Sequence, residues 1–235
     1  MTPTPATEPA TATLTHIHLN QTSTRVRKDL GDATRLHRTV MLLAPDHLGD
    51  HPRQEAGLLF RLEHATLHTP PTLLVQTHQP PNLNRLPTNY GTAQSRDLTP
   101  MLHHLTPGRR VRYRITANAS TARRVLANHQ PAPGKHQRKI TALHGDDALA
   151  WWHRRATSAG LTLTSADHIP VPAATTPSKD PNTHTDKRRQ GLLHALTRFD
   201  GLATITNPDQ LRHALLTGIG RGKPYGAGLL SLAPA

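Results

Sequence analysis

No cysteine occurs among the 235 residues, which excludes disulfides, thiolate metal sites and a cysteine nucleophile together. Aromatics are scarce as well. Two Phe, two Trp and three Tyr make up 3% of the chain, so any core must be built mainly from Leu, Val, Ile and Ala. The sequence has no apolar run of about 18 residues, no basic amphipathic helix with bulky apolar residues opposite and no lipidation motif, so no membrane attachment is expected. Acidic residues are also few: 15 Asp and Glu stand against 28 Lys and Arg, a formal net charge of +13. Such a field favours polyanionic partners, nucleic acid first. Residues 1–13, MTPTPATEPATAT, lack a basic segment followed by an apolar one and are not a secretory signal. They read as a disordered leader on a cytoplasmic protein.

The length suits one large domain or two of about 100 to 120 residues. Leu14 to Leu19 (LTHIHL) alternates as a strand and is followed by a polar, basic passage through Arg25, Arg27 and Lys28. A helix is predicted next, with Asp32 as N-cap, Leu36, Val40 and Leu43 on one face and Pro45 marking its end. Gly57 to Leu62 and Thr72 to Thr77 read as paired strands, and Arg109 to Thr116 (RRVRYRIT) as a half-buried strand with a cationic face. With a weakly helical segment over residues 82–105, this order fits a βαββαβ plan over residues 14–117.

Residues 118–235 repeat the plan. Arg138 to Leu143 is a candidate strand, Asp146 to Ala159 a helix ending at Gly160, and Leu161 to Thr164 another strand. Residues 170–189 read as a loop. Asp200-Gly201, between the apolar runs Leu192 to Phe199 and Leu202 to Thr206, reads as a hairpin turn. A helix capped by Asn207, begun by Pro208 and closed by Gly218 precedes a last strand, Leu229 to Leu232. The fold class expected is α+β, with two tandem ferredoxin-like (RRM-like, βαββαβ) domains.

Between that helix and strand lies the most specific local signal, GIGRGKPYGAGLL, with five glycines from Gly218 to Gly228. Glycines let backbone N–H groups approach phosphates closely, and Arg221 and Lys223 add charge. It is not a Walker A loop, because position 217 is Thr and Pro224 follows Lys223. A dinucleotide fingerprint fails on glycine spacing and on the single strand that remains. A helix stop followed by a tight turn is the alternative reading.

The run GIGRGKPYGAGLLSLAP resembles the glycine-rich C-terminal loop of the CasE-type CRISPR repeat endoribonucleases. THIHLN, DATRLHRTVM, LLFRLE, LLVQT and VRYRITAN follow that family's order and approximate spacing, so the resemblance runs from about residue 14 to the end. It is weakest over residues 80–105 and 170–189. The resemblance implies metal-independent cleavage of a repeat RNA hairpin, no cofactor, retention of the crRNA, and other Cascade subunits as partners.

Metal-free RNA cleavage needs a base for the attacking 2′-OH, an acid for the leaving 5′-oxygen and cations for the phosphoryl charge; its products are a 2′,3′-cyclic phosphate and a 5′-OH. Of the 18 histidines, His37 occupies the family's catalytic position, and Arg38 beside it is a candidate for the scissile phosphate. The family often carries Tyr three residues before that histidine, where this chain has Thr34. The second acid/base group is therefore open among Lys223, Tyr225 and water, with His37 acting alone as a further case. Candidate RNA ligands are Arg27, Lys135, Arg138, Lys139, Lys187, Arg188 and Arg189, with Gly220, Arg221, Gly222, Lys223 and Tyr225 of the loop. Tyr113 alone cannot form an RRM stacking platform. His16 with His18, and His47 with His51, lack a third ligand at persuasive spacing, so no metal site is expected. Two other readings stay open: a noncatalytic RNA-binding subunit of the same fold, and a basic, ribosome-like nucleic-acid protein.

Overall fold

The computed structural model of the chain describes residues 11–46, 48–124, 138–175 and 193–235. Its first sheet holds β1 (Thr13–Leu19), β2 (Leu59–Glu63), β3 (Thr72–Thr77) and β4 (Gly91–Asp97), all antiparallel, in the order β2-β3-β1-β4. Along β1 the alternation has its physical outcome: Thr15, Ile17 and Leu19 are buried, while His16 and His18 share the other face. Between β1 and β2 run α1 (Thr24–Leu30), α2 (Ala33–Met41) and the short α3 (Pro52–Glu55). Val26, Leu36, Val40 and Leu43 close a core on Ile17, Phe60, Val75 and Tyr90. Asp32 caps α2 as predicted, its Oδ1 accepting from the N–H groups of Thr34 at 2.8 Å and Arg35 at 3.2 Å.

Several expectations are corrected. The basic passage after β1 is helical, because Ser23 caps α1 and Val26 anchors it in the core. The helix sought over residues 82–105 is absent before β4; a 3-10 turn at Leu83–Arg85 takes its place, and α4 (Thr99–His103) follows the strand. Within the supposed leader, Ala12 is buried, its carbonyl accepts from Leu98 N–H at 2.7 Å, and Thr13 begins β1.

The strand expected to finish the first unit opens the second. β5 (Arg110–Ala117) pairs with β10 (Leu193–Ile205) and β11 (Leu230–Pro234), in a sheet ordered β11-β5-β10-β8 with β8 (Leu161–Leu163) at one edge. The boundary between the two sheets thus falls between Asp97 and Arg110, not at residue 117. With α5 (Gly145–Ser158) and α6 (Pro208–Thr217) in their places, this sheet has the strand order of a βαββαβ unit. The first sheet has the same order, with the 3-10 turn standing for its second helix.

Arg138 to Leu143 is not in that sheet. It forms β7 (Arg138–Ala142), paired only with β6 (Ser120–Arg124) as a separate hairpin. Part of the expected 170–189 loop is strand too, since β9 (Asp167–Thr175) pairs with β10. Asp200-Gly201 lies within continuous β10 and makes no turn there. Glycine is required for a different reason: a Cβ at 201 would meet the Ser165 carbonyl oxygen at 2.1 Å, where the loop after β8 crosses the strand. Tyr113, Trp151, Trp152 and Phe199 fill the second core, with Trp152 and Phe199 stacked at 5.6 Å between centroids.

The sheets meet on Leu59, Leu74 and Leu229. Two buried donors reinforce the seam: Gln76 Nε2 to the Leu215 carbonyl at 2.7 Å, and Arg61 Nη1 to the Leu229 carbonyl at 3.0 Å. This contact fixes the C-terminal glycine loop against the first unit. No helix among the described residues is long and apolar enough to cross a membrane.

Candidate active site

The glycine loop leaves α6 at Gly218 and returns into β11. Gly218, Gly220, Gly222, Gly226 and Gly228 all have positive φ, which is what lets so short a segment reverse twice. Gly222 and Gly226 bracket a 3-10 turn at Lys223–Tyr225, closed by Tyr225 N–H to the Gly222 carbonyl at 2.8 Å. The loop is held at both ends, by Ile219 N–H to Gly228 O at 2.9 Å and Gly228 N–H to Thr116 O at 2.7 Å. Gly226 sits against Phe60 of β2, where a Cβ would come within 3.2 Å of the ring. The glycines therefore serve a tight local fold, and that fold presents Lys223 and Tyr225 to the first unit.

The 3-10 turn packs on α2 and β2. His37, in the second turn of α2, is half-buried, and its Nδ1 is buried without a hydrogen-bond partner. Such an atom is unusual in a finished structure and common where a ligand completes a site. Burial, helped by the nearby Arg53 charge, lowers the His37 pKa below its ordinary value, favouring the neutral imidazole. Lys223 is lowered as well, by burial first and then by the same Arg53. A cavity of about 90 Å³ lies where α1, α2, β2 and the loop turn meet β9, lined by Asp29, Leu36, Phe60, His64, Val171 and Tyr225 but by neither His37 nor Lys223. Tyr225 is half-buried, whereas the other six aromatics are in the two cores.

The structure thus brings the helix that carries His37 and the turn that carries Lys223 and Tyr225 together from opposite ends of the sequence. Thr34 lies one turn before His37 on the same helix. Arg38 is exposed in the last turn of α2, and Arg221 is exposed with its backbone bridged to Asn118. Gly220 and Gly222 are half-buried in the loop. Arg27 is exposed on α1, with Nη2 donating to Thr24 Oγ1 at 3.3 Å. Arg138 and Lys139 begin β7, whereas Lys135, Lys187, Arg188, Arg189 and His47 lie outside the described residues.

Two groups of residues escaped the sequence reading. Arg53 stands in a four-residue helix with no periodicity to mark it, and its Nη1 donates to the Leu58 carbonyl at 3.2 Å. Arg123 and Arg124 face Lys139 and Arg138 across the β6–β7 hairpin, four basic residues at facing register positions. The doublet RR is the signal available in the sequence.

The model of a family described as CRISPR associated protein matches residues 14–234. This chain belongs to that family. It is 31% identical over 224 residues to the CRISPR-associated endoribonuclease Cse3 of Thermus thermophilus, covering 94% of this chain and 99% of the relative. Among solved structures, it resembles a CRISPR endoribonuclease Cse3 bound to 19 nt RNA, with a TM-score of 0.75, 29% identity and coverage of 94% and 100%. It also resembles a chain of a CRISPR RNA-guided surveillance complex in a pre-nicking state, with a TM-score of 0.66, 38% identity and coverage of 95% and 100%. The family membership agrees with the resemblance carried by the C-terminal loop and the LHRTVM segment.

Proposed function

We propose that this chain is an endoribonuclease that cleaves CRISPR precursor RNA at the repeat hairpin and stays bound to the crRNA as a Cascade subunit. The observation that carries this reading is the contact of the Lys223–Tyr225 turn with the helix bearing His37, in a family with an RNA-bound endoribonuclease among its structures. Cleavage needs no metal in this mechanism. His37, kept neutral by burial, takes the proton of the ribose 2′-OH as its oxygen attacks the adjacent phosphorus in line. The P–O5′ bond breaks, leaving a 2′,3′-cyclic phosphate and a 5′-OH. Lys223 gives the leaving oxygen its proton, since burial makes its ammonium a readier donor than a surface lysine. Loop N–H groups and Arg38 stabilise charge on the phosphoryl oxygens.

Thr34 favours a second reading, a noncatalytic RNA-binding subunit, since a hydroxyl of ordinary alcohol acidity cannot replace a phenol in proton transfer. One experiment separates the two. Wild type and His37→Ala are incubated in EDTA with the cognate repeat hairpin, and product ends are read on a denaturing gel. A single cut by wild type, slowed about 1,000-fold in the variant while RNA affinity persists, supports the enzyme. A hairpin bound tightly by wild type and left whole supports the binding subunit.

A further inference from the structure

The cationic face of RRVRYRIT takes no part in the candidate active site. On β5 the buried Val111, Tyr113 and Ile115 point into the second core, so Arg110, Arg112 and Arg114 stand on the opposite face of the sheet. Arg198 of the neighbouring β10 shares that face, its Nε donating to Asp200 Oδ2 at 2.7 Å.

Three adjoining spaces make one trench along this face. The cavity of about 90 Å³ beside the loop turn shares Leu62, His64, Thr116, Val171 and Pro172 with a groove of about 820 Å³ between the two sheets. That groove in turn shares Arg61, Arg114, Ser231 and Leu232 with a space of about 560 Å³ that extends to Arg112. The inner end is walled by Leu36 of α2 and Tyr225 of the loop turn, the two elements that carry His37 and Lys223. From Thr116 to Arg112 the trench follows β5 for about 13 Å, the length of about four stacked nucleotides of one strand.

The lining holds more positive charge than its acids offset. Arg61, Arg112, Arg114 and Arg198 line the groove and the outer space against two carboxylates, Glu63 and Asp200. Each acid is already shared: Glu63 takes Arg61 at 2.8 Å and Arg114 at 3.6 Å, and Asp200 takes Arg114 and Arg198. Arg112 is exposed and forms no ion pair among the described residues; its Nε donates to the Pro234 carbonyl at 3.0 Å. Ser231, where groove and outer space join, has its Oγ buried without a hydrogen-bond partner. An excess of cations spread along a narrow path suits a ligand with regularly repeated negative charge.

We infer that this trench holds the single-stranded RNA that runs from the scissile phosphate away from the hairpin, with its phosphates on Arg112, Arg114 and Arg198. The inference rests on the endoribonuclease reading. A strand that leaves the junction of α2 and the loop turn has the trench directly in its path. Leu62, Val171 and Leu232 give its bases apolar surface between the cations. Contacts of this kind read charge and shape, so the trench accepts any flanking sequence and leaves recognition to the hairpin.

The test measures affinity by fluorescence anisotropy for hairpins with a 2′-deoxy nucleotide at the cut, which bind without being cleaved. One series extends the RNA past the cut by flanks of increasing length, and a second extends the other end. The quantity read is the affinity of each extended RNA over that of the bare hairpin, for wild type, Arg112→Gln, Arg112→Lys and Arg112→Gln with Arg198→Gln; thermal denaturation reports folding. Expected for wild type is a roughly tenfold gain that levels off at about four nucleotides past the cut, with a slope of log affinity against log salt steeper by about 0.7 per phosphate engaged. The double variant should lose the gain, Arg112→Gln part of it, and Arg112→Lys should keep more than Arg112→Gln. No gain past the cut in wild type overturns the inference, leaves the enzyme reading intact and gives the trench to another occupant, such as a protein segment. A gain confined to the other end also overturns it. So does a gain equal in wild type and the double variant. Should the double variant melt lower, the exposed Arg112 decides alone: a wild-type gain in Arg112→Gln overturns the inference. Cleavage of the same RNAs with the 2′-OH in place, in EDTA, tests the enzyme reading separately, and failure of wild type to cut overturns that reading and the inference with it.

Discussion

The Thr39 hydroxyl donates to Asp29 Oδ2 at 2.6 Å, joining α1 to the helix that carries His37 two residues earlier. Tyr90 OH donates to the same oxygen at 3.0 Å, and Arg25 Nε completes the set at 3.3 Å. Three donors converge on a carboxylate that is fully buried, so the network orients α2 as well as stabilising it. Asp29→Ala leaves the Thr39 and Tyr90 hydroxyls without their acceptor and is expected to cost about 3 kcal/mol. Thr39→Val removes one donor and costs about 1 to 2 kcal/mol. Urea denaturation measures both, and equal losses for the two variants would contradict a network centred on the carboxylate.

Arg61 presents the same physics at the seam between sheets. Its side chain is 3% exposed, pairs with Glu63 at 2.8 Å, and donates from Nη1 to the carbonyls of Arg114 and Leu229. Arg61→Ala strips two carbonyls of a buried donor and removes one cation from the half-buried Glu63, so a loss of about 3 kcal/mol is expected. Arg61→Met keeps the apolar stem and should lose less. Since the contact ties β2 to the loop-bearing strand, cleavage should fall with stability, and denaturation curves with rate measurements on the same preparations check this.

The parts of the fold legible in the sequence are those decided locally. Asp32 before an apolar stripe and Asn207-Pro208 before another marked both helices, because capping is a matter of the next three residues. β4 was illegible: in GTAQSRD the sole aliphatic residue is Ala93, and the strand exists through backbone pairing to β1. Alternation in RRVRYRIT announced a strand but not its partner, which is why β5 was given to the wrong unit. Gly201 looked like a turn because close approach of the Ser165 carbonyl, the actual constraint, comes from residues far away in sequence. In the candidate site, His37 and the glycine loop are legible through their motifs, whereas the packing of the Lys223–Tyr225 turn on α2 is not, because it joins opposite ends of the sequence.

Three histidines predict an acid response. Burial is the first cause lowering His16, His37 and His64 from 6.5, with His18 and then Arg96 and Arg61 adding at His16, Arg53 adding at His37 and Glu63 opposing at His64. Each binds its proton more readily in the unfolded chain than in the folded one. Their contribution to stability is therefore complete above 6.5 and is lost as pH falls through the lower folded values. Melting temperatures taken from about pH 8 to about pH 5 should decline on the acid side. The cleavage rate should fall as well, with its acid limb below 6.5, because protonated His37 cannot accept the 2′-OH proton. A limb at or above 6.5 would assign the base to another group.

The β6–β7 hairpin predicts how RNA is held away from the cut. Arg123 pairs in register with Lys139 and Arg124 with Arg138, so four basic residues stand on two neighbouring rungs of the hairpin. An A-form stem offers phosphates but hides its major-groove base edges, so these residues should contribute affinity more than sequence choice. Arg123→Gln with Arg124→Gln should weaken binding to matched and mismatched stems by similar factors. Each lost phosphate contact should lower the slope of log affinity against log salt by about 0.7 to 0.9. Cleavage at saturating RNA should remain near wild type, because His37 and Lys223 belong to other elements. Fluorescence anisotropy over a salt series measures the slope. A double variant with an unchanged slope would show that the hairpin does not lie on the RNA backbone.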